Sequence, residues 1–170
     1  TLERHELVEQ LTGRGKYRLG VGVLQLAGAT SARLDIVQRS RPVTQRLAEE
    51  LGETVNVTVL SGHEALYVDQ TAASAALQPH NWVGQRIPLH ATSNGKVLLA
   101  YVSDARFAEL TAPPLRQFTE RTMTDAGTLR AEVAGVRRTG YAVAVDELEI
   151  GLTAVAAPVV GADGEVAGSV

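Results

Sequence analysis

Cysteine is absent from all 170 residues. That excludes a disulfide framework, a thiol nucleophile, a zinc–thiolate site and an iron–sulfur cluster, and it leaves stability to the core. Long apolar runs are missing too: stretches such as TAVAAPVV fall well short of the ~20 residues a membrane helix needs. No basic-then-apolar leader opens the chain, so a soluble, cytoplasmic address is the expectation. Positive charge is not in excess either. The net charge is −3, which argues against a dedicated nucleic-acid-binding domain. What is present is ordinary globular composition, 45% hydrophobic and 21% charged, in a chain long enough for one domain that buries roughly 70% of its unfolded surface.

The average charge hides a split. Up to Arg46 the bases Arg4, Arg14, Lys16, Arg18, Arg33, Arg39, Arg41 and Arg46 outnumber the acids Glu3, Glu6, Glu9 and Asp35, and beyond Leu47 the balance reverses. A polyanion would meet the basic end, although a solvated basic face accounts for the same charges.

Periodicity gives the elements. HELVEQLTGRGKYRLG reads as two short strands, Leu7 to Leu11 and Lys16 to Leu19, around a turn at Thr12 to Gly15. Such a ribbon is marginal alone, so it reads as the edge of something that continued upstream. Helical spacing follows from Val21, with a break at Ala27 to Ser31 and a second pattern ending at Gly52. Pro42 lies inside that pattern, which is read as one kinked helix. TVNVTVLS and EALYVDQTA form a hairpin about Gly62 and His63, with Val55, Val57 and Val59 on one face. Residues 74–85 carry neither period and read as irregular. Helices are expected after caps at Thr92 or Ser93, at Ser103 or Asp104, and at Thr124 or Asp125, the last with Leu129, Val133 and Val136 buried and Gly140 as its stop. Strands close the chain: Tyr141 to Val145, Leu152 to Val160, and Glu165 onward after a GADG turn. Strands do not alternate regularly with helices, so the fold class is α+β, an antiparallel sheet with helices packed on it.

Catalysis is not indicated. Asn94, Gly95 and Lys96 lack the second glycine and the hydroxyl of a phosphate loop. No Gly-x-Ser-x-Gly elbow occurs. His5, His63, His80 and His90 have no ligand spacing, so neither a metal nor a cofactor is expected. Asp146, Glu147 and Glu149 form an acidic cluster in a loop, read as mainly solvated. What remains is the helix start near Ser93 to Lys96, whose free amides and dipole favour a carboxylate or phosphate, against the plainer reading of an ordinary capped helix.

RPVTQRLAEELGETVNVTVLSGHEALYVDQ, then IPLHATSNGKVLLAY, then RRTGYAVAVDELEIGLTAVAAPVV together resemble the effector-binding domain of the IclR family of bacterial transcriptional regulators. The resemblance covers nearly the whole chain. It implies a GAF-like fold, a curved antiparallel sheet flanked by helices, in residues 21–170. Residues 1–20 would be the remnant wing and linker of an upstream winged helix-turn-helix, with both termini cut.

The partners implied are a small organic acid, a second copy of the chain in a homodimer or tetramer, and operator DNA through the missing N-terminal domain, without a membrane. Repression is the commoner family behaviour. The acid would lie between the sheet and the helix opened by HATSNGK, held by Thr92, Ser93, Asn94 and Gly95. Leu77, Pro79, Trp82 and Ile87 would form a wall, with Ala144, Asp146, Leu152 and Ala154 opposite. Where many members carry an acid and a cysteine, this chain has Ala144 and Ala154. The expectation is therefore a pocket with few polar anchors and a less polar effector, an aromatic or longer aliphatic acid. The rival is an enzyme using the same pocket with Asp146 or Glu147 as general base. A pure assembly module would fill the pocket with its own side chains.

Overall fold

The computed structural model describes residues 1–11, 15–33, 35–72, 81–112 and 114–170, with the side chains of 28–33 excepted. The expected wall residues Leu77 and Pro79, most of the first turn, and Pro113 lie outside the described residues. The chain divides into two compact units, Thr1–Arg39 and Ser40–Val170.

In the first unit a single 3-10 turn, Glu3–His5, precedes the ribbon β1 (Val8–Gln10) and β2 (Tyr17–Leu19), paired antiparallel with Val8 opposite Leu19. Helix α1 (Gly22–Arg33) follows. The helical stretch expected from Leu34 is α2 (Asp35–Leu51), which begins in this unit, belongs to the second from Ser40 onward, and continues through Pro42 although proline contributes no amide to the ladder.

In the second unit β3 (Val55–Ser61) and β4 (Glu64–Thr71) form the expected hairpin, and Gly62 takes the positive φ (67°) its turn requires. They sit in a five-stranded sheet of order β5-β4-β3-β9-β8, where β5 is Arg86–Ile87, β8 is Pro158–Val160 and β9 is Val166–Ser169. Every pairing is antiparallel. Val55 and Val57 are buried as the alternation requires, but so is Thr58 on the opposite face, while Val59 is only half-buried. A bulge between Val57 and Thr58 places the extra residue on β4 at Val68.

The single strand expected over 152–160 is two strands. Thr153–Ala156 (β7) pairs with β6 (Ala142–Val145) as a separate hairpin, whereas Pro158–Val160 joins the main sheet. The change of partner falls at Ala157, whose amide donates to the Val170 carbonyl (2.8 Å) just before a proline that cannot donate at all.

Helices α3 (Ser93–Tyr101), α4 (Asp104–Thr111) and α5 (Ala126–Thr139) start at the caps Thr92, Ser103 and Asp125, each accepting a backbone amide three residues on. Helix α3 is buried from Ser93 to Ala100, so it is the central element and not an amphipathic surface helix. Around it Val97, Leu98 and Leu99 meet Phe107, Leu110, Leu129, Val133 and Val136 in one core. Each such buried side chain contributes about 1.5–3 kcal/mol.

Candidate functional site

The start of α3 is set by a close approach. A Cβ on Gly95 would overlap the backbone of Leu89, so only glycine lets the Leu89–Ala91 segment lie against the first turn. Thr92 Oγ1 donates to the Pro88 carbonyl (2.8 Å) and accepts the Gly95 amide (3.2 Å), closing that turn. The amides of Ser93 and Asn94 donate to no acceptor among the described residues. These are the orphan donors of a helix start, here buried.

Beside them is a cavity of about 40 Å³ lined by Tyr67, Ala91, Thr92, Ser93, Asn94, Ala144, Glu147, Leu148, Leu152 and Ala154. Six residues expected at the site reach this wall: Thr92, Ser93, Asn94, Ala144, Leu152 and Ala154. Ala144 and Ala154 face each other as a cross-strand pair of β6 and β7. The other described residues expected there do not line it. Gly95 is occupied with Leu89, and Ile87 belongs to the core behind. Trp82 packs on Tyr67 with ring centroids 5.7 Å apart, one layer back from the cavity. Asp146 turns away in a left-handed conformation (φ 59°), where its Oδ1 accepts the Gly151 amide at 2.6 Å.

The sequence reading missed Tyr67, Ala91 and Leu148, and it placed Glu147 in the pocket only as a general base of the rival enzyme. The acidic cluster is not uniformly solvated: Glu147 is buried and its Oε1 accepts from Lys96 Nζ at 2.6 Å. Lys96 is fully buried and also donates to the Val143 carbonyl (3.0 Å) and to Glu132 Oε1 (3.3 Å). One ammonium thus ties α3 to α5, to β6 and to the loop after it. Thr122 Oγ1 donates to the Glu147 carbonyl (2.6 Å) and Thr119 Oγ1 to that of Asp146 (2.6 Å), fixing the same loop from outside. A signal existed in a lysine that leads directly into the apolar run Val97 to Ala100, since a buried ammonium needs a carboxylate partner.

Polarity is likewise richer than Ala144 and Ala154 imply. Among the described residues, Ser93 Oγ and Glu147 Oε2 are buried side-chain atoms without a hydrogen-bond partner. Burial also raises the Tyr67 phenol above its ordinary pKa, which keeps it a neutral donor. The Asn94 side chain, by contrast, is engaged: its Nδ2 donates to Ser169 Oγ (3.2 Å), which also bonds Thr58 Oγ1 (2.6 Å). The Asn94 carbonyl accepts from Ser169 Oγ (3.2 Å) as well, which leaves the backbone amide as the Asn94 group able to hold a ligand.

A wider depression of about 480 Å³ takes in His63, Arg86, His90, Arg116 and Phe118. His90 there bonds the Arg116 carbonyl through Nε2 (2.8 Å), and no buried side-chain atom on that wall lacks a partner. Among the described residues no group of His, Asp and Glu is arranged to hold a metal ion, and no helix is long and apolar enough to cross a membrane.

An antiparallel sheet flanked by helices, with a small cavity where a central helix begins, is the architecture of an effector-binding domain of a transcriptional regulator. The chain belongs to the IclR family: the family model described as the bacterial transcriptional regulator IclR C-terminal matches residues 28–170. It is 32% identical over 160 residues to the HTH-type transcriptional regulator XynR of Escherichia coli K12, covering 94% of this chain and 64% of that protein. It is 30% identical over 159 residues to the E. coli K12 repressor AllR, covering 93% of this chain and 59% of AllR. The crystal structure of an IclR homolog complexed with 4-hydroxybenzoate, from Microbacterium hydrocarbonoxydans, superimposes with a TM-score of 0.82 at 29% identity, covering 99% of this chain and 69% of that one. The chain spans about 60% of the length of the curated relatives it matches. The family is one of regulators, not enzymes.

Proposed function

We propose that this domain senses a small organic acid in the cavity at the start of α3, and that occupancy alters operator binding by a winged helix-turn-helix on its N-terminal side. Residues 1–20, with the β1–β2 ribbon, are the remnant wing and linker in this reading, and residues 21–170 are the sensing domain. The observation that carries it is the pair of unpaired Ser93 and Asn94 amides beside the partnerless Ser93 hydroxyl, all at a dipole end that favours an anion. Thr92 keeps the turn in shape, and Ala144, Leu152 and Ala154 form the apolar wall.

The full-length protein acts in the cytoplasm as a repressor, a reading supported by the name of AllR. It self-associates as a dimer or tetramer, which the exposed Val145, Ile150 and Val155 about the β6–β7 hairpin support. The space favours a short acid over the aromatic or long aliphatic acid expected from the two alanines. Benzene occupies a cavity of about 150 Å³, well above the 40 Å³ present.

Coupling requires the acid to bind one arrangement of the regulator better than another, typically by 5- to 150-fold. Operator affinity of the full-length protein, measured with and without acid, should shift at least fivefold in wild type and less than twofold in Ser93→Ala. Ser93→Ala removes a buried hydroxyl that has no partner among the described residues, so it should melt at or above the wild-type temperature. No acid altering operator affinity would defeat the reading. Recovery of a converted product after prolonged incubation would establish an enzyme instead.

A further inference from the structure

We propose that the ligand of this cavity is a short hydroxy acid, with one carboxylate on the amides at the start of α3 and a hydroxyl that donates to Glu147. The proposal rests on the effector-binding reading above and names its ligand class. Three buried side-chain atoms lack a partner among the described residues, and two of them, Ser93 Oγ and Glu147 Oε2, belong to residues on the wall of this one cavity. Their chemistries are opposite. A serine hydroxyl can donate, whereas a carboxylate oxygen paired to lysine can only accept.

Lys96 cannot serve the second oxygen. Its three ammonium donors reach Glu147 Oε1, the Val143 carbonyl and Glu132 Oε1, and so its donors are fully engaged. Glu147 Oε2 is therefore an acceptor in a buried wall that no described residue meets, and leaving such an atom unmet is unfavourable. A plain monocarboxylate offers it nothing but carbon or another acceptor. A dicarboxylate would set a like charge against it, which is more unfavourable still.

A molecule that satisfies both ends presents acceptors toward Ser93 and a proton toward Glu147. An acid bearing a hydroxyl does both. The volume limits its length, because about 40 Å³ takes only a few groups the size of a water molecule. Glu147 in this assignment is the specificity-determining residue, and Lys96 is a positioning residue that holds it.

Calorimetric titration of the intact protein with matched pairs tests the assignment: acetate against glycolate, propionate against lactate, benzoate against 4-hydroxybenzoate, and malonate alone. A hydrogen bond to a charged group predicts that glycolate and lactate bind at least about tenfold more tightly than acetate and propionate. Malonate should bind more weakly than either hydroxy acid. In Glu147→Gln the hydroxyl advantage should fall below threefold. The wild-type pairs decide the question even if that variant does not fold. If no acid in the panel binds, the effector reading and this assignment fall together. If acetate and propionate match their hydroxy counterparts, water fills the place of the hydroxyl and only the hydroxy-acid assignment falls. Preference for malonate or for either aromatic acid overturns the assignment in the same way while leaving an acid effector in place.

Discussion

Helices α3 and α5 begin with the same device and use it differently. At α5 the cap Asp125 is exposed, and its Oδ1 accepts both the Thr128 amide (2.7 Å) and the Thr128 hydroxyl (2.8 Å), so the polar groups of that turn are met locally or by water. At α3 the cap Thr92 serves one amide, the next residues are buried, and the Ser93 amide and hydroxyl have no partner among the described residues. A capped start is therefore not itself a site. Burial turns the same leftover donors from solvated groups into unmet ones, and that difference points to a ligand at α3 and to none at α5.

The largest effect should come from the polar network whose buried centre, Lys96, lies in α3. Lys96→Met removes the ammonium and strands Glu147 in the interior, which should cost about 3–5 kcal/mol. Glu132 is the α5 partner of the same lysine and its side chain is 45% exposed, so Glu132→Gln should cost less than about 1 kcal/mol. Urea unfolding midpoints of the two variants check this. Equal losses would mean that the network is as solvated at α3 as at α5.

Glycine tolerance should separate the helices next. Gly95→Ala forces a methyl into the Leu89 backbone and should cost about 3 kcal/mol by overpacking. Gly135→Ala in α5 meets nothing closer than the Arg138 guanidinium at 3.9 Å and should stabilise by up to about 1 kcal/mol through helix propensity. Thermal unfolding of both should show shifts of opposite sign. A neutral Gly95→Ala would mean that the Leu89 segment moves aside freely, and the cavity would lose its fixed wall.

Much of this was legible in the sequence, and the rest follows a pattern. Caps, stops and hairpin turns are local chemistry, so Gly62 and Gly140 sit where residue type and spacing place them, and each helix start falls on one of the two caps offered for it, at Thr92, Ser103 and Asp125. Ser93, Ala144, Leu152 and Ala154 came to one wall because the family motifs carry register between distant segments. Glu147 could not be told from Asp146 for the converse reason: adjacent acids look alike in sequence, and only packing makes Asp146 turn outward while the next residue is buried on Lys96. The division of 152–160 at Ala157 depends on two partners, β6 and β9, and a local β signal cannot name either. The polarity of the cavity wall was underestimated because two alanines were counted while a carboxylate arriving from the neighbouring loop was not.

The smallest effect concerns the cap of α5 and serves as the control for the site at α3. Hydrogen bonds from the Thr128 amide, then from its hydroxyl, hold the Asp125 carboxyl below its ordinary value of 3.8. A carboxylate lowered on folding stabilises fully above that ordinary value, and its contribution is lost as pH falls through the lower folded value. Asparagine caps about as well but does not titrate there. Asp125→Asn should therefore melt close to wild type at pH 7, and any wild-type advantage should shrink as the pH is taken from 5 toward 3. Because the cap is exposed and remote in the chain from Ser93, acid binding at pH 7 should be unchanged in this variant. A loss of binding in Asp125→Asn equal to that in Ser93→Ala would erase the distinction between the two helix starts, since a start already satisfied by its own residues would then matter to the ligand as much as one that is not.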